Sequence, residues 1–336
     1  VTGAQRGLDG LLERAEALRS EGAWGELRAL LAGDCPAPEA SPDLPLLLAE
    51  AELRTGQVAG ARDRLAILAP AYEALGDQAR LRRATNMLGV AELEAGDVAA
   101  ADMAFQRVLE LANTADDHLT VARVTNNLGA LANSRGERER ALALYQLAVP
   151  AFQRLGNDVG LAETYHNLAI TYRDLGQLEQ ADRYQRRAID HARASGNARM
   201  LAIAHVGRAE LSLLRGEALV AEAGARLGAT QYAAIPDALG EADALRLAGA
   251  ASTTLGNLRA AEAVLDRSVS LAREHGGALV EAESLEARAR LYALRQEWGP
   301  TFRDARAAVA LYARLQDQRA TALEEWLATA GIGEGS

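Results

Sequence analysis

The sequence predicts an all-α solenoid, and three observations predict it. Glycine recurs every forty residues: Gly56, Gly96, Gly136, Gly176, Gly216 and Gly256 form one column, with Gln296 in the next slot. A second column holds Gly76, Gly156, Gly196 and Gly276, with Asp116, Pro236 and Gln316 filling its other slots. The residue after that second column is Asp77, Asp117, Asn157, Asn197, Asp237, Gly277 and Asp317. Nearly all of these are N-cap types, whose side-chain oxygen accepts from the orphan amides that open a helix. Glycine just before them suits the left-handed end of the preceding helix. One repeat therefore reads cap, helix, glycine turn, helix, glycine stop. A fixed period of this length means stacked units.

The elements run in this order. An atypical helical pair, Ala4 to Ser20 and Ala23 to Ala32, fills residues 1–32. Residues 33–43 form a Pro-rich break, GDCPAPEASPD. About seven helical hairpins fill 44–315. Their first helices are expected near Leu44–Thr55, Gln78–Ala95, His118–Arg135, Asp158–Leu175, Ala198–Arg215, Ala238–Leu255 and Ala278–Arg295. The second helix comes after each glycine turn. A last helix, Gln318 to Ala330 within 316–330, is expected to cap the open end through Leu323 and Trp326, because terminal units of a solenoid need a cover. The tail, 331–336, is expected to be disordered. Pro70 and Pro150 fall at one slot inside the second helix, two repeats apart, and predict a bend there.

Composition narrows the function. The 336 residues are 49% hydrophobic but only 4% aromatic, so Ala and Leu must supply the core. The formal charge of −10 argues against nucleic-acid phosphates as partners. All 36 basic residues are arginine, which excludes a P-loop or Schiff-base lysine. Cys35 is the single cysteine, so no intrachain disulfide or thiolate zinc cluster is possible. No apolar run is long enough to span a membrane and no signal peptide opens the chain. We read it as soluble and cytoplasmic, with no cofactor. The chain begins at Val1 rather than Met, which fits a piece of a longer protein.

The units resemble tetratricopeptide repeats. The family pattern pairs Leu-Gly and Tyr on the first helix with Ala and Phe on the second. One unit gives Leu88-Gly89, Gly96, Ala101 and Phe105; the next gives Asn127-Leu128-Gly129, Gly136, Ala141, Tyr145 and Ala148. The third gives Asn167-Leu168-Ala169, Tyr172, Gly176, Ala181 and Ala188. The resemblance implies a right-handed α-α superhelix with its first helices on the concave side. Because the period is forty rather than the family's usual length, the second helix is expected to be longer by more than a turn. The long variant is similar to the repeats of Pins-type adaptors, kinesin light chain, Rap-type regulators and the sensor domains of bacterial transcription activators. These relatives imply a protein or peptide partner bound along the concave face.

Concave positions can be read by column. One runs Asp43, Arg83, Arg123, Glu163, Ile203, Asp243, Glu283, and another Leu46, Asn86, Asn126, His166, Val206, Arg246, Glu286. The candidate site is Arg83, Asn86, Arg123, Asn126, Asn127, Asn133, His166, Asn167 and Arg173. An Asn amide both donates and accepts, so it can bridge a peptide's N–H and C=O. Helices about 8–10 Å apart would let Asn127 and Asn167 hold groups about three residues apart on an extended ligand. Arg83 and Arg123 offer guanidinium forks to a carboxylate. The same residues can instead form a solvated inner face or bond to neighbouring helices. In the Pins-type and kinesin families the Asn before Leu-Gly or Leu-Ala holds peptide; Asn127 and Asn167 match it, whereas Met87 does not.

Signatures of catalysis are missing: no His-Glu-x-x-His occurs, and no Gly-x-Ser-x-Gly elbow. Asp116-Asp117-His118 falls where caps are expected, and we assign no metal to it. The leading expectation is a non-catalytic interaction scaffold that grips an extended segment. The alternative is a ligand-sensing or oligomerising module of a larger bacterial signalling or transcriptional regulator. Ile203, Val206, Leu213 and Leu214 form an apolar stretch with two readings, a self-association face that would give a homodimer or core buried within the repeat.

Overall fold

The computed structural model describes residues 3–33 and 35–331. Among them the chain is all helical, with α1 (Gly3–Glu21) and α2 (Trp24–Leu31) as the first pair. The hairpins are α3 (Leu44–Arg54) with α4 (Val58–Ala74), α5 (Gln78–Glu94) with α6 (Val98–Thr114), and α7 (His118–Ser134) with α8 (Arg138–Arg154). Next come α9 (Asp158–Asp174) with α10 (Leu178–Ala194), α11 (Ala198–Leu214) with α12 (Ala218–Ala234), α13 (Ala238–Thr254) with α14 (Leu258–Glu274), and α15 (Ala278–Leu294) with α16 (Trp298–Arg314). The final helix is α17 (Arg319–Gly331). The disordered tail expected at 331–336 lies outside the described residues, apart from Gly331, the last residue of α17. The chain forms two compact units, 1–171 and 172–336.

From α5 onward every expected first helix starts where its cap column placed it. Asp77, Asp117, Asn157, Asn197 and Asp237 each accept from the N–H three residues on, at 2.8–3.1 Å. Gly277 has no side chain to do so, and α15 opens without that bond. The expected extra length in the second helix is not found. From α5 to α16 both helices of every hairpin have seventeen residues. The two glycine columns are offset by half a period, so each helix must fit between stops equally spaced.

The stops work as a left-handed closure. Gly96 has φ 84°, its N–H bonds Leu93 C=O, and the next N–H, of Asp97, bonds Glu92 C=O. That pair of bonds satisfies two carbonyls the helix end would otherwise leave open. The non-glycine slots obey the same geometry: Asp116, Pro236, Gln296 and Gln316 all have positive φ. At Pro236 the ring removes the N–H, so only the Asp237 N–H to Tyr232 C=O bond remains, at 3.0 Å.

Small residues let the two helices of a hairpin touch. A Cβ built on Gly89 would lie 2.6 Å from the Phe105 ring, and one on Gly129 would lie 2.5 Å from the Tyr145 ring. Both rings are fully buried. A second layer alternates with a period of two repeats. Tyr72, Phe152, Tyr232 and Tyr312 are buried at one slot, with Ala112, Ala192 and Ala272 between them. Gly160 and Gly240 make room for the Phe152 and Tyr232 rings, which a Cβ would meet at 2.5 and 2.4 Å. Pro70 and Pro150 belong to the same double period. Both lie on the exposed side of helices that continue through them, where water can take the carbonyl left without a donor. At the C-terminus Leu323 is buried against the last hairpin and Trp326 packs beside it, as expected of a cap.

These contacts set two expectations about stability. Pro236→Gly restores both an unstrained left-handed residue and its N–H, and should stabilise the protein by about 1 kcal/mol; denaturant titration at equilibrium reads this. Gly129→Ala drives a methyl into a buried ring and should cost about 1–3 kcal/mol, seen as a lower melting temperature.

Candidate functional site: the inner helical face

Within the first unit the first helices of successive hairpins touch one another, α1 with α3, α3 with α5 and α5 with α7. Within the second, α11 touches α13 and α13 touches α15. These helices make the inner row of each unit, and the second helices stand outside them. Side chains of the expected columns therefore share one face within a unit.

In the first unit that face carries two amide pairs linking neighbouring repeats. Asn127 Nδ2 donates to Asn86 Oδ1 at 3.0 Å, and Asn167 Nδ2 donates to Asn126 Oδ1 at 3.2 Å. The residues of each pair are 41 apart, one repeat and one position, so each pair ties one inner helix to the next. Each bond uses one valence of each amide. An Asn can make four hydrogen bonds, so the Asn86 Nδ2 protons and the Asn127 Oδ1 remain outside that bond. Asn126 is buried and the other three are partly buried.

The remaining candidates divide. Arg83 Nη2 donates to Glu50 at 2.7 Å, and Arg19 Nε reaches the same carboxylate oxygen at 3.1 Å. A ligand carboxylate would have to displace Glu50 to reach Arg83. Asn133 Oδ1 accepts from Thr171 at 2.9 Å and from Arg138 at 3.3 Å. Arg138 also donates to the Asn133 main-chain carbonyl, so this residue serves the end of its own helix. His166 takes part in interactions on α9. Arg123 is exposed. Its charge acts on Glu163, as does that of Arg54. Burial pushes the Glu163 carboxyl up, against the lowering pull of Arg54 and Arg123. Glu163 stands in the same column as Arg123, but only the structure shows it as a partly buried carboxylate under the influence of two arginines.

Arg173 belongs to the second unit, where Glu210 takes its Nη1 at 2.7 Å and Asp174 its Nη2 at 3.0 Å. There the inner face is closed by its own charges. Arg246 pairs with Asp243 at 2.6 Å and with Glu283 at 3.3 Å, and Glu283 continues to Arg319 at 2.5 Å. Of the two readings of the apolar stretch, core burial holds for three of its residues and self-association does not. Val206 is buried, and Ile203 and Leu213 pack against the same core cluster, because Gly224 and Gly228 on α12 let α11 sink onto it. Only Leu214 of the four is exposed.

Other chemistry is limited. Among the described residues no group of three or more His, Cys, Asp or Glu is placed to hold a metal ion. Asp117 is occupied as a cap and by Arg82 at 3.2 Å. Cys35 packs beside the first core cluster, and burial pushes its thiol up, away from the reactive thiolate. No described helix is long and apolar enough to cross a membrane.

A tetratricopeptide-repeat family profile matches residues 117–194, from the start of α7 through α10. No curated protein shows a significant sequence match. Among solved structures, Cut9 in the APC/C hetero-tetramer Cut9–Hcn1 aligns with 98% of this chain and 57% of its own, at 14% identity and a TM-score of 0.67. A signal transduction ATPase with a tetratricopeptide-repeat sensor, from Pyrococcus horikoshii, aligns with 90% of this chain and 46% of its own, at 15% identity and 0.61. The chain thus spans less than two thirds of either. A Rap protein complexed with Competence and Sporulation Factor aligns over 98% of both chains, at 13% identity and 0.59.

The Glu163 environment has a measurable consequence. A carboxyl raised in the folded state opposes folding above its folded pKa, and that penalty fades as pH falls toward the unfolded value near 4.5. Glu163→Gln should therefore stabilise the protein at neutral pH. The gain over wild type should shrink between neutral pH and about pH 4, as read by urea unfolding of both proteins across that range.

Proposed function

We propose that this tetratricopeptide-repeat protein is a non-catalytic scaffold whose first unit grips an extended peptide or partner segment along its inner helical face. Folds of this kind are protein-interaction scaffolds. The observation that carries the reading to particular residues is the pair of amide links, Asn86–Asn127 and Asn126–Asn167. They stand in adjacent layers, held in position by one bond and retaining further donors and acceptors. Pre-positioned amides suit an extended backbone, because ordering them costs little at the moment of binding. Arg123, exposed and next to them in register, adds a cation for an acidic group on the partner. Arg83 and Asn133 have partners within the chain, so they support the face rather than lead recognition; Arg173 lies in the second unit and is bound by its charges.

A second reading is a sensor module of a larger signalling protein. The fold shared with the Pyrococcus horikoshii ATPase, which carries such repeats as its sensor, favours it. Both readings use the inner face and differ in the consequence of binding.

The test is affinity capture from the source cell's lysate with wild type beside two variants. Arg123→Glu leaves both amide pairs intact, and the Arg123→Ala, Asn127→Ala, Asn167→Ala triple variant removes them. A client held by wild type should bind Arg123→Glu at least tenfold more weakly and be lost from the triple variant, while Arg123→Glu keeps the helical circular dichroism of wild type at the assay temperature. A client bound equally by all three proteins would overturn the inner-face assignment.

A further inference from the structure

The second helices of the second unit can be compared position by position, because α10, α12 and α14 share one register. Each exposes the same eight positions. On α10 six of them are charged: Glu179, Arg183, Arg186, Arg187, Asp190 and Arg193. On α14 five are charged: Arg259, Asp266, Arg267, Arg273 and Glu274. On α12 there is one, Arg226, and it already pairs with Glu222 at 3.0 Å. The α12 positions instead hold Leu219, Val220, Ala223, Leu227, Thr230, Ala233 and Ala234. Leu219 is 72% exposed and Leu227 47%. With Ala223 they fall four residues apart, a straight apolar stripe down the outer side of the helix. Leu214, the last residue of α11, is also exposed, at 57%. Solvent does not favour such a stripe, and contiguous exposed apolar surface marks a docking site.

The charges on the preceding and following second helices say what fits. The exposed positions of α10 and of α14 each carry more arginine than acid, although the whole chain has a formal charge of −10; Arg186, Arg193 and Arg273 already pair with Asp182, Asp190 and Glu281, so Arg183, Arg259 and Arg267 are the cations offered to a partner. A second copy would bring this same cationic border against itself, and like charges across an interface disfavour it. We propose that the outer face of α12 docks an acidic amphipathic helix of a partner protein, with its apolar stripe on Leu219, Ala223 and Leu227. Its flanking carboxylates then meet Arg183 on one side and Arg259 and Arg267 on the other. This is helix-on-face recognition through anchors at helical spacing, on the side of the unit opposite its inner row.

The test uses a fluorescein-labelled synthetic helix of about twenty residues, long enough to hold helical structure, with leucine along one stripe and glutamate on both flanks. Fluorescence anisotropy should show saturable binding to the wild-type chain that weakens as salt rises. Leu219→Glu/Leu227→Glu should bind it at least tenfold more weakly while melting as wild type does. Arg183→Glu/Arg267→Glu keeps the leucines; it should lose a similar factor and gain affinity for the same helix carrying lysine flanks. The leucine variant should retain any client of the inner face, which separates this surface from that one. Absence of saturable binding, equal binding of the glutamate and lysine helices, or unchanged binding by the leucine variant would overturn the proposal. A concentration-dependent dimer in sedimentation velocity, abolished by Leu219→Glu, would also overturn it by showing that a second copy covers the face.

Discussion

Each helix of the array ends in a three-residue reversal, and one residue in each reversal must take a left-handed backbone. The rest of the structure depends on that constraint. At such a residue its own N–H and the next one turn back onto the last carbonyls, so the helix end is satisfied without side chains or buried water. Glycine takes the position at least steric cost, which explains the columns at Gly56 and Gly76 and their successors. Because the reversals are equally spaced, the helices they bound are equally long. Equal helices present equivalent residues at equivalent places, and columns of side chains become faces. The amide pairs on the inner row and the apolar stripe on α12 are both consequences of that registration.

Close approach within hairpins is the second layer of the same logic. A glycine or alanine on the first helix faces a ring or a leucine on the second, as Gly89 faces Phe105 and Gly249 faces Leu265. The large side chain fills the volume the small one leaves, which is how a chain with so few aromatics reaches native packing density. The alternation of Tyr72, Phe152, Tyr232 and Tyr312 with alanines shows that the structural unit of this sequence is a pair of hairpins as much as a single one.

Much of this was legible in the sequence, and the exceptions have physical reasons. Glycine columns and Asp or Asn caps act through local backbone geometry, so Asp77 and Gly96 could be assigned from spacing alone. The non-glycine slots were legible for the same reason: Asp116 and Gln296 sit where the geometry is fixed by their neighbours. The equal division of the repeat was also written in the offset between the columns, but the longer period had suggested a lengthened second helix. The amide pairs were not legible as pairs. Whether Asn127 points into the groove or toward Asn86 depends on how one repeat rotates over the next, and sequence spacing does not contain that rotation. The same holds for Arg83, whose partner Glu50 lies 33 residues away. Spacing left Ile203 and Val206 open between surface and core, and the glycines of α12 decide it by drawing that helix into the core. The apolar face of α12 required exposures for three helices in one register before its departure could be seen.

The central claim is that the inner helices of the first unit form the principal recognition surface. Hydrogen exchange of the full chain, alone and with a captured client, tests it most directly. The account predicts slowed exchange along α5 and α7 and around Asn167 in the middle of α9, with little change on the second helices of the same unit. Slowing confined to the outer helices, or no change on α5 and α7 at saturating client, would contradict it.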